Sequence, residues 1–101
     1  MIQFNRYPHI NDLVSYYIAK INDKKILEIY ENGVQSEIEA EAFCKFIWLL
    51  VEHVHADEES GNSVLGSVDN TEMLPDLSYE ITGYMRKTGY FAVWERVSEN
   101  S

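Results

Sequence analysis

The hydrophobic pattern is densest over residues 42–51, which read A-F-C-K-F-I-W-L-L-V, one lysine among nine apolar residues. In a wider window, Phe43, Phe46, Ile47, Leu50, Val51 and Val54 recur at the three-and-four spacing of a buried helical face. Ser36-Glu37-Ile38-Glu39 ahead of them has the form of a capping box. The pattern predicts a long central helix from about 37 to about 55. Glu37, Glu39 and Glu41 crowd its first turns and His53 and His55 its last, where the helix dipole favours each charge. Trp48 and Leu49 fall outside the main stripe. Trp48 shares a spoke with Glu41, Lys45 and Glu52, and Leu49 lies beside that spoke, on the line of Ala42, His53 and Ala56. A helix apolar on more than one side needs cover on more than one side.

Other segments are less uniform. Asn11 can cap a helix over about 11–21, with Leu13, Val14, Tyr17, Ile18 and Ile21 drawing one stripe. Residues 24–32 fit either a short helix ending at Gly33 or a strand entering an Asn32-Gly33 hairpin. The capping box claims the returning segment for the next helix, so the helix is favoured. Residues 57–74 read as a long loop, with 63–68 (S-V-L-G-S-V) as a short strand inside it. Residues 77–87 suit a helix through Leu77, Ile81, Tyr84 and Met85, stopped by Gly89, or an alternating strand, since Gly83 weakens a helix. Residues 90–97 (Y-F-A-V-W-E-R-V) carry the β-branched and aromatic composition of a strand. The expected architecture is one compact, helix-rich α+β domain, its central helix packed against helix 11–21 and the aromatic C-terminal strand.

Charge sharpens this picture. The 101 residues carry a formal −9, unevenly placed. From Glu28 to Glu80 there are thirteen acids and one base, Lys45, whereas residues 1–27 carry +2 and residues 81–101 carry +1. An acidic middle repels phosphates, which disfavours direct nucleic-acid binding and makes a basic protein the natural electrostatic partner. The apolar run is too short for a bilayer and contains Lys45. The start, M-I-Q-F-N-R-Y-P, lacks the basic and long apolar regions of a signal peptide. The single cysteine, Cys44, forbids an internal disulfide and fits a reducing cytoplasm.

Candidate chemistry is thin. His53 and Asp57, like His55 and Glu59, are four residues apart and could share a helical face, but two histidines without a third convergent ligand do not make a metal site. No phosphate-cradling loop, G-x-S-x-G elbow or H-E-x-x-H helix occurs, so no catalytic residue, metal or cofactor is assigned. Trp48 and Leu49, ringed by Glu41, Lys45 and Glu52, have the composition of an anchor for a second polypeptide. The alternative is that the strand carrying Trp94 folds over this side and buries both Trp48 and Leu49.

The leading expectation is therefore a non-enzymatic, acidic, cytoplasmic protein-binding module. It would be a homodimer through Trp48 and Leu49 or an inhibitor of a basic protein such as a nuclease. A second expectation is a small-molecule binding protein or minor enzyme with a pocket lined by Tyr79, Tyr84, Tyr90 and Trp94, on which His53 or Asp69 converges. A third is a nucleic-acid mimic, which requires Glu28, Glu31, Glu37, Glu39, Glu41, Glu58 and Glu59 to form a regular array.

Overall fold

A computed structural model describes residues 1–62 and 69–100. The described chain folds as α1 (His9–Ile21), α2 (Lys24–Asn32), α3 (Glu37–Glu59), a 3-10 turn (Asn70–Met73), α4 (Leu74–Thr88) and α5 (Phe91–Glu99). There is no strand among the described residues, so the fold is all-helical and the α+β expectation is overturned. The short strand expected at 63–68 lies outside the described residues.

The largest correction is at the C-terminus, where the expected strand 90–97 is α5. Gly89, at φ +86°, ends α4 in the left-handed region. Its N–H donates to the carbonyl of Arg86, and that of Tyr90 to the carbonyl of Met85 at 3.1 Å. The chain turns and restarts as a helix, with Val93 and Trp94 N–H groups donating to the carbonyl of Tyr90. Val93, Trp94 and Val97 are buried, at helical spacing, while Glu95 and Arg96 stay exposed. The β-branched and aromatic composition is a packing preference here: with no strand among the described residues to pair with, burial against α3 determines the backbone.

The ambiguous segment 77–87 resolves in the same way. Leu77, Ile81 and Met85, four apart, are all buried, and Pro75 sits in the first turn, where its missing N–H is harmless. That burial outweighs the cost of about 1 kcal/mol for an exposed mid-helix glycine such as Gly83. At α2, Asp23 accepts from the N–H groups of Lys25 and Ile26, and Gly33 ends the helix at φ +84°. Ser36 caps α3 by accepting from the Glu39 N–H at 3.2 Å. The Glu39 carboxylate reaches back to the Gln35 N–H at 2.9 Å, one residue beyond the usual capping-box partner.

Two helix starts or ends differ from expectation. Asn11 lies inside α1, not at its cap: its amide accepts from Phe4 N–H at 2.8 Å and donates to the carbonyls of Phe4 and Pro8. It thereby fastens the N-terminal strap, whose Ile2 and Phe4 are buried and whose Ile2 N–H donates to the carbonyl of Tyr30 at 2.8 Å. The strap is also tied to α4, because Tyr7 N–H donates to the buried Glu80 carboxylate at 2.8 Å. Helix α3 runs on to Glu59, so its last turn carries Asp57, Glu58 and Glu59 rather than the two histidines. This opposes the dipole, and tertiary bonds offset it. Lys20 Nζ lies 2.7 Å from both Asp57 oxygens, Tyr17 donates its hydroxyl to Asp57 Oδ2 at 2.7 Å, and Glu58 accepts from Asn70 N–H at 2.8 Å.

Lys20 first, and then the Tyr17 hydroxyl, hold the Asp57 carboxyl below its ordinary range. A depressed folded-state value means that the resulting stability is fully present above the unfolded pKa. It is lost as pH falls through the folded one. Urea midpoints of the wild type should therefore fall as the solution is taken below the ordinary carboxylate range. In Asp57→Asn the starting midpoint should be lower and that part of the slope absent; parallel curves for the two proteins would show that the network adds nothing.

Candidate functional site

A groove of about 430 Å³ runs between α3 and α5. From α3 it is lined by Glu41, Lys45, Trp48, Leu49 and Glu52, and from the other wall by Arg96, Val97 and Asn100. The first five are the residues singled out as a partner-binding patch, brought to one face by their helical spacing. The other three escaped the sequence reading. A strand over 90–97 would alternate their sides, whereas the helical spacing of Val93, Trp94 and Val97 turns α5 so that Arg96 and Val97 meet the groove. The signal was present in that spacing and in the Gly89 stop.

The two tryptophans form the wall's foundation. Trp48 and Trp94 stack with ring centroids 5.9 Å apart and planes 17° from parallel. Trp94 is buried and donates its indole N–H to Thr82 Oγ1 at 3.1 Å. Trp48 is half-buried, and its indole N–H is shielded without an acceptor among the described residues. The chain's own C-terminal element thus covers Trp48, as a helix. It leaves Leu49 partly exposed, at 39%. A second groove of about 250 Å³, between α2 and α3, is also lined by Leu49 and Lys45, so these two side chains crest a ridge with a groove on either side.

The ridge's charges are loosely held. Lys45 Nζ is 3.3 Å from Glu41 one turn away, and Arg96 reaches Glu37 at 3.7 Å and Glu41 at 4.0 Å. Pairs this exposed contribute little to stability. Glu52 makes no ion pair among the described residues.

The aromatic residues of the alternative pocket do not converge. Tyr79 is 51% exposed and packs edge-on against Tyr7, with the Arg6 guanidinium 4.9 Å from its ring. Tyr84 accepts from Val34 N–H at 3.0 Å and meets the edge of Phe43. Those two share a shallow groove of about 240 Å³ with Arg6, Glu80 and Lys87, but Tyr90 starts α5 and Trp94 is spent on Trp48. His53 lies beside Tyr17, with ring centroids 6.3 Å apart, and Asp69 binds Thr71 through its N–H and hydroxyl. Among the described residues no three His, Cys, Asp or Glu side chains are placed to share a metal ion. Asp57, the possible fellow ligand of His53, is occupied by Lys20 and Tyr17. Of the seven glutamates of the mimic reading, Glu37 and Glu59 stand at opposite ends of α3, about 33 Å apart at 1.5 Å per residue.

Cys44 is wholly buried, and burial pushes its thiol up to about 12, so no thiolate is available for nucleophilic chemistry. No helix among the described residues is long and apolar enough to cross a membrane. No protein-family model matches the chain, and comparison with curated proteins and with solved structures gives no significant match.

Two substitutions separate the wall from the ridge. Trp94→Ala removes a buried ring, its stack and its bond to Thr82, and should cost about 3 kcal/mol or more in urea unfolding, with red-shifted Trp48 emission. Leu49→Ser, at a site 39% exposed, should cost clearly less, about 1 kcal/mol. Equal costs for the two would mean that Leu49 is part of the core.

Proposed function

We propose that this protein is a non-catalytic binding module that holds another polypeptide against the ridge and groove of α3 and α5. The observation that carries this reading is Leu49. The chain covers Trp48 with its own C-terminal helix, yet leaves Leu49 39% exposed beside a groove that a side chain can enter; Ile38 and Tyr79 are more exposed, but neither lines that groove. An apolar residue placed between a stacked aromatic pair and a charged rim matches the arrangement of an interface anchor. The groove follows α3 from Glu41 to Glu52, about 16 Å or three helical turns, a length suited to a helical segment lying along it.

Its composition favours a protein over a small molecule. The lining mixes two acids and two bases over an apolar floor and is open along its length, whereas small ligands call for an enclosed, largely apolar cavity. The buried, inert Cys44 supports a place of work in the reducing cytoplasm. The net charge of −9 supports a second reading of the same face, in which a basic protein is steered to it and affinity falls steeply with salt.

A photoreactive benzophenone side chain at position 49 tests the reading directly. In the native host it should give a discrete protein adduct, whereas the same group at Glu28, on exposed α2 surface, should give none. No adduct at 49, or equal adducts at both positions, ends the proposal.

A further inference from the structure

The occupant of this face can be named from the placement of three side chains. Lys45, Leu49 and Glu52 lie along one side of α3, the outer two carrying opposite charges. Lys45 and Glu52 are seven residues apart, close to two full turns, so they share a side of the helix and stand about 10.5 Å apart along its axis. The point midway between them falls between Trp48 and Leu49, the apolar centre of the patch.

We propose that the occupant is a second copy of this chain, docked with its α3 antiparallel across the first on a two-fold axis between Trp48 and Leu49. The proposal rests on reading this face as a protein contact. That axis brings Lys45 of each copy level with Glu52 of the other, and Leu49 of each level with Trp48 of the other. One patch serves both sides of the contact, as an isologous interface requires. A cation and an anion placed evenly about an apolar centre are self-complementary only in this antiparallel sense; side by side in parallel, like would face like. Both charges are free to engage: among the described residues the 66% exposed Lys45 side chain is paired with Glu41 alone, and exposed Glu52 makes no ion pair.

Charge sets a further condition. Each copy carries −9, so the molecules repel at long range while the two Lys45–Glu52 contacts attract at short range. At 0.1 M salt the screening length is about 10 Å, which damps the whole-molecule repulsion far more than pairs in contact. Dimerisation should therefore tighten as salt is raised from low to physiological strength. A basic partner behaves in the opposite way.

Sedimentation equilibrium over a wide concentration range tests this on the full chain. The wild type should show a reversible monomer–dimer equilibrium that strengthens with salt. Lys45→Glu and Glu52→Lys, each of which sets two like-charge contacts across the axis, should weaken it about tenfold. The combined K45E/E52K chain should recover it, because the charges are exchanged and the symmetry is kept. Circular dichroism of each variant checks that α3 is intact. A dimer indifferent to both single changes, or not recovered in the double variant, overturns the two-fold arrangement. A strict monomer at every concentration overturns the second copy as occupant. In that case the adduct at position 49 decides the wider reading: a different protein there leaves the contact face standing, and no adduct removes both.

Discussion

The burial of α3 is the constraint on which the remainder of the molecule depends. Its 23 residues bury Ala40, Phe43, Cys44, Phe46, Ile47, Leu50 and Val54, which point to more than one side. A single flanking helix covers one stripe, so several elements must surround it. Helices α1 and α2 supply cover from before it in the chain, and the 3-10 turn and α5 from after it. Helix α4 packs against α5 and α1 and closes the shell. The order of elements therefore places the most apolar helix in the middle of the chain and its cover at both ends. Among the described residues, the line of Lys45, Leu49 and Glu52 is left incompletely covered, as is Ile38 in the first turn.

That geometry explains why the same residues serve stability and recognition on different sides of one helix. Trp48 stands at the boundary. One face of its ring is stacked on Trp94, which fixes the groove wall, while its neighbour Leu49 is turned outward by the helical step of 100°. The patch is thereby held on a rigid helix and not on a loop, so a partner meets a surface already formed, with little ordering cost on this side.

Much of this was legible in the sequence where periodicity and capping agreed. The stripe from Phe43 to Val54, the Ser36 cap and the Gly89 stop each have a local cause, and the patch of Glu41, Lys45, Trp48, Leu49 and Glu52 follows from helical spacing alone. What misled was composition without context. Tyr90 to Val97 looks like a strand because aromatic and branched side chains favour a half-buried surface, and a surface of that kind is equally offered by α3 to a helix. The end of α3 falls later than the sequence suggests because His53 and His55 suit a last turn and the Ser, Gly, Asn and acidic residues from 57 onward read as loop. The groups that offset the acidic last turn, Lys20, Tyr17 and the Asn70 N–H, are distant in sequence and joined only by the fold. Arg96 and Val97 went unassigned to the groove for the same reason, since their orientation depends on α5 being helical.

The bond between Tyr7 and Glu80 carries a consequence for how the molecule assembles. It joins positions 73 residues apart through one backbone N–H and one carboxylate. Drawing together the ends of so long a flexible loop costs roughly 4 kcal/mol, from three-halves RT times the logarithm of its length. A hydrogen bond to a charged group contributes only about 1.5–3 kcal/mol. That bond alone therefore does not hold the strap in place; the burial of Ile2 and Phe4 and the bonds to Asn11 and Tyr30 supply the rest, and the link to α4 is added to them.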